Sequence, residues 1–362
     1  MKKYNLIDIF SGIGGFHTGF LKTNRFHLLY ALDNNENCKE FHKINHPDLN
    51  FKKVDLSKID ERQYWKNKIV KEVDVLIGGP PCQGFSTIGN RASSNSEKRE
   101  KYDIRNNLIG HFINNVNVLR PKCFIMENVR GLTTYRKGYF FDDVMEEFKK
   151  IPDYTFNYKV LNAADYGVPQ IRNRTFIIGT RLKINEFRFP NPTHFENKSD
   201  GIPYETVGGC IMDLVGKENK INNHVPLKHR ETNIARYKLI PEGGRMPEDK
   251  LPLELYRKNF GNTFKRLDRK KPALTMVPGH NAFPIHPTEN RSLTVREAAR
   301  IQTFSDDFIF TGTRQSQCIQ VGNAFPPLVA ELLGANIIKT MRNNWKPHNV
   351  SKLAKYSLLD IE

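Results

Sequence analysis

The fold is decided by residues 73–86, which read Val73-Asp74-Val75-Leu76-Ile77-Gly78-Gly79-Pro80-Pro81-Cys82-Gln83-Gly84-Phe85-Ser86. The first five residues form a short apolar, β-branched run, which is typical of a buried parallel strand. Two glycines and two prolines then end that strand, because glycine permits tight turns and proline fixes φ and removes a backbone donor. Cys82 therefore follows a stiff turn at the carboxyl end of a strand, the edge where open α/β sheets bind ligands.

Cys82 can be interpreted in two ways. A lone cysteine at an arbitrary position is usually a small buried hydrophobe. The turn before Cys82 and the Gly84-Phe85-Ser86 after it favour another role. A thiol held rigidly at a ligand-binding edge is placed like a nucleophile, so we interpret Cys82 as a candidate catalytic residue.

The first part of the chain alternates between strand and helix patterns. Besides 73–77, strands are predicted at 5–10, 28–32, 51–54 and 123–126. Helical spacing occurs at 16–22, 36–45, 108–119 and 141–150. Each strand ends in a glycine turn, a carboxylate or the thiol. This alternation predicts an α/β fold with a doubly wound, mostly parallel, Rossmann-like sheet and a site along one edge.

The strand ends supply the candidate binding residues. The first strand runs into Ser11-Gly12-Ile13-Gly14-Gly15, a glycine turn before a helix, where bare backbone can approach a nucleotide. The spacing is not the dinucleotide fingerprint. Asp33 ends the second strand, where a carboxylate can accept hydrogen bonds from ribose hydroxyls. A single acid at a strand end is usually a helix N-cap, but Asp33, Asp55, Glu127 and Cys82 converging on one edge favour a site.

The second part of the chain has a different texture. A strand pair is predicted at 158–161 and 175–179, and the extended segment between them places Gln170, Arg172 and Arg174 on one side. Such a row is usually a solvated face, but beside a site it presents two guanidinium groups to an anionic or carbonyl-rich ligand.

Residues 181–289 are rich in proline, asparagine and basic residues with interleaved aromatics, and predict an irregular second domain that binds an anion. Thr294 and Glu297 form a capping box on an amphipathic helix. A last helix is expected at 328–341.

Composition narrows the class of protein. The 362 residues include 56 Lys and Arg against 39 Asp and Glu, a formal net charge of +17. This favours a polyanionic partner such as nucleic acid, the alternative being a basic but inert surface. The five cysteines are widely spaced and show no metal-ligand pattern, which predicts a reducing, cytoplasmic compartment and no metal site. We expect no membrane span and no signal peptide, because no apolar run approaches the length of a span and the N-terminus leads directly into a strand.

Six motifs stand in an order that matches a known family. They are Asp8-Ile9-Phe10-Ser11-Gly12-Ile13-Gly14-Gly15-Phe16, Gly79-Pro80-Pro81-Cys82-Gln83-Gly84-Phe85-Ser86, Glu127-Asn128-Val129, Gln170-x-Arg172-x-Arg174, Arg291-x-Leu293-Thr294-x-Arg296-Glu297-Ala298-Ala299-Arg300-x-Gln302 and Gln320-Val321-Gly322-Asn323-Ala324. Through them the chain resembles the DNA cytosine-5 methyltransferases over nearly its whole length, except for about 181–270 and the tail.

The resemblance implies a cofactor and the residues that bind it. The cofactor is S-adenosylmethionine, with Asp33 on the ribose and Asp55 on the adenine amino group. The other residues of the implied pocket are Phe10, Gly12, Ile13, Gly14, Leu56, Pro81, Leu108 and Asn323. The family often has a bulky residue after the ribose-binding acid, whereas this chain has Asn34.

The resemblance also implies a mechanism. Cys82 adds to carbon 6 of a flipped-out cytosine, and Glu127 contacts N3 and the exocyclic amine. Arg172 is expected to orient Glu127 and contact the base carbonyl, and Arg174 to lower the pKa of the thiol. DNA contacts are implied for Gln83, Ser86, Arg99, Arg105 and Gln170, with the polar stretch 87–107 closing over the base as a lid.

The resemblance also implies a division into domains and a set of partners. Residues 1–180 are expected to form the catalytic and cofactor-binding domain, completed by a helix at about 318–342. Residues 181–317 are expected to form the target-recognition domain, and 343–362 a polar tail. The expected partners are double-stranded DNA and a cognate restriction endonuclease, and the chain is expected to be a monomer that protects host DNA.

Three alternatives share parts of this pattern. A tRNA cytosine-5 methyltransferase has the same fold, but the long basic stretch and Gly84 favour DNA. An inactive DNA-binding homologue is expected to have lost the nucleophile or the glutamate, and both are present. A dinucleotide-binding enzyme explains the fold but not Pro81-Cys82 or the basic second domain.

Overall fold

The structure is a computed structural model of the chain. It describes residues 3–66, 68, 71–81, 96–181, 187–247, 252–255, 264–276 and 283–343. For residues 96–107, 136, 198, 253 and 343 it describes the backbone alone. All statements below refer to these residues.

A seven-stranded sheet forms the centre of the protein, with the strand order β3-β2-β1-β4-β5-β8-β6. The strands are β1 (Tyr4–Ile9), β2 (Phe26–Asp33), β3 (Phe51–Lys53), β4 (Val75–Gly78), β5 (Cys123–Val129), β6 (Thr155–Asn162), β7 (Gln170–Ile171), β8 (Asn173–Thr180), β9 (His194–Phe195), β10 (Ile202–Pro203) and β11 (Ala273–Leu274). The first five strands pair in parallel, and β8 runs antiparallel to both β5 and β6. The short strands pair as β9 with β10 and β7 with β11.

Helices connect the strands of the sheet, and further helices follow in the second half of the chain. They are α1 (Gly15–Lys22), α2 (Glu36–Asn45), α3 (Glu61–Lys66), α4 (Ser96–Leu119), α5 (Tyr139–Lys149), α6 (Val207–Ile211), α7 (Glu231–Lys238), α8 (Val295–Ile301), α9 (Arg314–Asn323) and α10 (Pro327–Asn343). Short 3-10 helices occur at Leu56–Lys58, Arg130–Thr133, Tyr135–Gly138, Ala163–Tyr166, Lys198–Asp200, Met212–Leu214 and Leu253–Leu255.

Both faces of the sheet are buried, as the continuous apolar runs of its strands predict. In β4, Val75 and Ile77 belong to a core that also contains Phe20 of α1 and Leu333 of α10. Leu76, between them, belongs to the core on the other face, which helices α3, α4 and α5 cover. Successive residues of a strand point to opposite faces, so helices on both sides confirm the doubly wound sheet.

The predicted elements agree with the structure except near the start of α4. We expected the polar stretch 87–107 to be a loop, but the helix begins at Ser96. Glu97 and Lys101 lie four residues apart, and this order of charges stabilises a helix. The capping box is confirmed: Thr294 accepts from the N–H of Glu297, whose carboxylate accepts from the N–H of Thr294.

The later part of the chain packs against the first. A third apolar core joins Ile13 and Phe41 to Val207, Leu293 and Phe310. The stretch Arg314–Arg342 is long and apolar enough to span a membrane by length and composition, but 67% of the window that meets this test is buried within the protein. It contributes core residues beside α1, as an internal helix does.

Candidate functional site

The turn after β1 has the backbone that its glycines predict. Gly12 and Gly14 have φ of 54° and 77°, in the left-handed region that favours glycine. The Gly14 N–H donates to the Ser11 carbonyl at 2.8 Å, which closes the turn. Apart from Gly12 and its chain neighbours, no atom of the described residues lies within 4 Å of the position that a Gly12 Cβ would occupy. The turn therefore exposes bare backbone at the carboxyl end of β1.

Asp33 connects this turn to the end of β2. Its Oδ2 accepts from the Gly12 N–H at 2.7 Å, and its Oδ1 accepts from the Asn35 N–H at 3.0 Å. Burial raises the pKa of Asp33, and these backbone donors oppose the shift. The carboxylate is held beside the glycine turn and remains partly exposed. This is the position from which a carboxylate can accept further hydrogen bonds from ribose hydroxyls.

Asp55 has a local structural role. Its Oδ1 accepts from the N–H and the hydroxyl of Ser57 at 3.1 and 2.6 Å, and so caps the 3-10 helix Leu56–Lys58. The Ser57 hydroxyl lowers the pKa of Asp55. The N-cap interpretation of an acid at a strand end thus holds for this residue, and its contact with adenine stays a prediction.

The other residues of the expected pocket differ in exposure. Ile13 and Leu56 are buried, Phe10 and Leu108 are partly exposed, and Pro81 and Asn323 are exposed. Phe10 has a φ of 57°, an uncommon value for a side-chain-bearing residue. The strain lies at the entrance to the glycine turn, where backbone strain often accompanies a functional site.

Glu127 and Arg174 form the charged pair of the site. The Arg174 Nε lies 2.8 Å from Glu127 Oε1, and the two side chains are 14% and 15% exposed. The antiparallel pairing of β5 with β8 brings them together, since Val129 faces Arg174 and Glu127 faces Phe176. A Cβ built on Gly79 would lie 3.1 Å from Glu127 Oε2. The second oxygen of the carboxylate therefore lies over the turn that leads to Cys82.

Asn128 fixes that turn through a hydrogen bond from the neighbouring strand, and the sequence analysis did not predict this role. Its side chain is buried, and its Nδ2 donates to the Pro80 carbonyl at 3.2 Å. The proline-rich turn offers few backbone donors, so a side-chain donor from the next strand fixes its carbonyl. The available signal was the polar Asn128 next to Glu127 in a strand that is otherwise apolar.

Among the described residues Arg172 donates no hydrogen bond to Glu127, and its expected role in orienting that carboxylate stays a prediction. Its guanidinium is buried and donates to the Gly322 carbonyl at 3.2 Å from both terminal nitrogens, and to the Asn323 carbonyl at 3.4 Å. Arg174 forms the ion pair instead. Because α9 ends at Asn323, its last carbonyls lack helical partners, and the buried cation supplies donors to them.

Gln170 is less accessible than a DNA-contacting residue would be. The side chain is fully buried on β7, and neither its oxygen nor its nitrogen has a hydrogen-bond partner among the described residues. Its expected contact with DNA stays a prediction. Strand β7 ends at Ile171 and β8 begins at Asn173, so Gln170 and Arg174 lie in different strands.

Several predicted site residues cannot be located. Cys82, Gln83 and Ser86 lie outside the described residues. Arg99 and Arg105 lie in α4, whose side chains before Leu108 are also outside them. Their predicted roles stay predictions.

The geometry fits a nucleotide-like cofactor at the first turn. The space at the missing Gly12 side chain, the positive φ values and the fixed Asp33 carboxylate form a cradle at the carboxyl ends of β1 and β2. Glu127 and Arg174 lie beyond β4, at the carboxyl end of β5. The site therefore has two halves, one suited to a nucleoside and one to a polar, planar group.

Comparison with known sequences gives a match over nearly the whole chain. Residues 4–339 match the family described as C-5 cytosine-specific DNA methylase. The chain is 36% identical over 346 residues to the Type II methyltransferase M1.HphI of Haemophilus parahaemolyticus, covering 93% of this chain and 87% of the relative. It is 33% identical over 350 residues to M.NgoFVII of Neisseria gonorrhoeae, covering 95% and 89%.

Solved structures give the same result for the fold. A crystal structure from Escherichia coli, of a candidate DNA modification methyltransferase encoded within a prophage, has a TM-score of 0.71 at 25% identity and covers 94% of this chain and 100% of its own. The Entamoeba histolytica methyltransferase EhMeth has a TM-score of 0.63 at 17% identity, covering 94% and 99%. The second likeness concerns the fold alone.

Proposed function

We propose a residue-level mechanism from the premise that this chain belongs to the C-5 cytosine-specific DNA methylase family, and is a DNA (cytosine-5-)-methyltransferase. The observation that carries the proposal is the Glu127–Arg174 pair over the turn that leads to Cys82. In this proposal a cytosine whose N3 edge meets Glu127 presents carbon 6 to Cys82. The family and this geometry support the same assignment of roles.

S-adenosylmethionine, when bound, supplies the methyl group. Asp33 accepts hydrogen bonds from its ribose, and Gly12 and Gly14 let the chain approach its amino-acid part closely. Phe10, Ile13, Asp55, Leu56, Pro81, Leu108 and Asn323 complete the proposed pocket.

Cys82 is the proposed nucleophile. Carbon 5 of cytosine is a weak nucleophile, and addition of a thiolate to carbon 6 converts it to an enamine-like carbon. The sulfur–carbon bond forms as the ring electrons move toward N3, where the Glu127 carboxyl shares a proton with the base. After the methyl group reaches carbon 5, the carbon-5 proton leaves to a base and the sulfur–carbon bond breaks, which regenerates the thiolate.

The described cysteines support this assignment by their chemistry. Cys38, Cys123, Cys210 and Cys318 are free thiols. Burial raises the pKa of every one, to about 12 for Cys210 and about 11 for Cys318. A thiol with a raised pKa is a poor nucleophile near neutral pH. These four thiols are therefore poor candidates for the nucleophile, which supports the proposal of Cys82 in that role.

Arg174 and Arg172 act at different places. Arg174 binds Glu127 Oε1, which leaves Oε2 to meet the base edge, and its guanidinium also adds positive charge near the thiolate. Arg172 holds the carboxyl end of α9, where Gly322 and Asn323 lie, against the core. In the proposed mechanism Arg172 is thus a positioning residue for the cofactor side of the site.

The target base must leave the duplex to reach Glu127, because a stacked cytosine offers no access to carbon 6. We assign residues 1–180 with the helices at about 318–342 to catalysis, and 181–317 to target recognition. The net charge of +17 supports binding to the phosphate backbone. Gln83, Ser86, Arg99 and Arg105 are the proposed contacts near the flipped base.

The biological role follows from the relatives. M1.HphI and M.NgoFVII are named as Type II methyltransferases. We propose that this chain methylates a specific duplex sequence in a bacterial or phage restriction–modification system, as a cytoplasmic monomer whose site a cognate endonuclease shares. Sequencing of methylated genomic DNA from an expressing strain reads the target sequence directly.

One experiment tests the proposed substrate. Labelled S-adenosylmethionine is incubated with the protein and with duplex DNA of many sequences or with tRNA, and the product is digested to nucleosides. We expect label in 5-methylcytosine from duplex DNA, and none with Cys82→Ala. Label in tRNA alone contradicts the DNA assignment, and cofactor binding without transfer to either polymer indicates an inactive homologue.

A further inference from the structure

Three histidines meet beneath the glycine turn, at a place the proposed mechanism does not use. His17 lies on α1, His42 lies on α2, and His46 follows the end of α2. One ring nitrogen from each lies within 4.8 Å of the others. The ring centroids are 5.2 Å apart for His17 and His42, 5.9 Å for His17 and His46, and 5.6 Å for His42 and His46. Each ring is thus close to both of the others.

One nitrogen of each ring has no hydrogen-bond partner among the described residues. His17 Nε2, His42 Nδ1 and His46 Nε2 are buried and lack a hydrogen bond among the described residues. Buried polar atoms are nearly always paired, and an unpaired one costs about 1–3 kcal/mol. Three such atoms gathered in one place indicate a ligand that binds all of them.

The opposite nitrogens define the tautomers. His42 Nε2 lies 3.0 Å from the Gly12 carbonyl, which can only accept, so Nε2 carries the proton and Nδ1 has a free lone pair. His17 Nδ1 lies 2.7 Å from Asp8 Oδ2, and a proton there leaves the lone pair on Nε2. A carboxylate behind a ligating histidine is the usual outer shell of a metal site.

We propose that His17, His42 and His46 bind one transition-metal ion, with zinc best matched to three imidazoles, and that Asp8 supports His17 from behind. His42 and His46 are four residues apart and so lie on one face of the helix end, a spacing that suits a shared ion. Zinc–nitrogen bonds of about 2.0–2.1 Å place ligand nitrogens roughly 3.3 Å apart, so small side-chain rotations close the site.

The electrostatics of the cluster suit a cation. Asp8 is 1% exposed, and its Oδ1 has no hydrogen-bond partner among the described residues. A bound cation supplies the positive charge that a buried Asp8 carboxylate lacks.

The surroundings favour a small ion over a larger ligand. Phe51 stacks on His42 at 4.6 Å, and Phe308 packs edge-on against His46 at 5.5 Å. A Cβ on Gly14 would lie 2.2 Å from His17 Nε2 and 2.9 Å from His42 Cε1, so the rings fill the space below the turn. His46 is half-buried and offers a route from solvent. A metal here joins α1 to α2 behind the first turn.

The test uses the full chain without a histidine tag. The protein is stripped with a chelator, dialysed, and titrated with zinc alone while its metal content and thermal midpoint are measured. We expect one zinc per chain and a midpoint that rises by about 3–4 °C at a hundredfold excess over Kd. Cobalt in place of zinc gives a visible absorption band if imidazoles bind it.

Substitutions test whether zinc binds at the three histidines. We expect His46→Phe and His42→Gln each to lose more zinc affinity than the roughly 10- to 100-fold loss expected for Asp8→Asn, which removes only the outer partner. His27→Ala, on an exposed histidine, is the control that keeps full affinity. Absence of zinc and cobalt uptake by the stripped wild type overturns the proposal, and so does unchanged affinity in both histidine variants.

Discussion

Two polar clusters lie at the carboxyl ends of the parallel strands, and they are built in opposite ways. At β5, Glu127 and Arg174 pair with each other at 2.8 Å and remain partly exposed. Beneath the turn after β1, Asp8 and His17 pair at 2.7 Å and are almost completely buried, and the neighbouring His42 and His46 each have a buried nitrogen without a partner among the described residues.

The difference shows what each cluster can bind. The β5 cluster is satisfied within the protein and open at one side, so it can bind a polar edge of a large substrate without refolding. The histidine cluster is buried and has nitrogens without a partner among the described residues, which is the arrangement on which the proposed metal site rests.

The largest expected effect is on turnover at the open cluster. Glu127→Gln should slow methyl transfer by about a hundredfold or more, because the amide cannot share a proton with the base. Cofactor affinity and the free energy of unfolding should change little. Single-turnover methyl transfer and calorimetry measure both properties.

A matched control for this variant is Glu242→Gln, since Glu242 also pairs with an arginine, Arg269, but at the surface. It should leave turnover unchanged. Near-normal methyl transfer by Glu127→Gln would remove Glu127 from the mechanism and the open cluster from its catalytic role.

The next prediction distinguishes Arg172 from Arg174 by the loss of stability that each substitution causes. Arg172→Ala should lower the free energy of unfolding by about 3 kcal/mol, because it leaves the Gly322 and Asn323 carbonyls without their charged donor. Arg174→Ala should cost only about 1 kcal/mol, as expected of a partly exposed ion pair, and should act mainly on turnover. Urea unfolding of both variants measures the difference. Equal losses of stability would mean that both arginines have one structural role.

A smaller effect is expected at Asp33, beside the histidine cluster but open to the cofactor. Asp33→Ala should weaken S-adenosylmethionine binding by about 10- to 100-fold, which corresponds to about 1.5–3 kcal/mol for a charged hydrogen-bond acceptor. DNA affinity without cofactor should be nearly unchanged. Calorimetry that shows unchanged cofactor affinity would move the ribose contact elsewhere.

The smallest effect is expected at Gln170, which is buried without partners like the histidines but stands alone. Gln170→Leu should leave DNA affinity within about twofold and stability unchanged or slightly higher, because it replaces an unpaired amide by an apolar group of similar size. Fluorescence anisotropy with duplex DNA measures the affinity. A tenfold loss would restore Gln170 to the DNA interface.

Local pattern was enough to predict the sheet. Val75, Leu76 and Ile77 are apolar at consecutive positions, which indicates burial on both faces, and the structure places them in cores on opposite sides. The same holds for the capping box at Thr294, whose partners are three residues apart. Interactions within one helix or strand can be predicted from the spacing of residues in the sequence.

The site was only partly predictable because its contacts join distant segments. Arg172 binds a carbonyl 150 residues later in the chain, and nothing in its own motif specifies that partner. The interaction of Asn128 with the Pro80 carbonyl depends on which strand lies next to β4.

The sequence did not predict the histidine cluster, because the prediction of no metal site rested on the spacing of the cysteines. His42 and His46 have a ligand-like spacing, but the third member, His17, is 25 residues before His42 and becomes a neighbour only when α1 and α2 pack together.

The central claim is that Cys82 forms a covalent bond with the target base. Duplex DNA with 5-fluorocytosine at the target position tests it, because fluorine cannot leave carbon 5 as a cation and the adduct persists. We predict a complex that requires S-adenosylmethionine, survives denaturing electrophoresis, and is abolished by Cys82→Ala but not by substitution of Cys38, Cys123, Cys210 or Cys318. An adduct that still forms with Cys82→Ala would contradict the account.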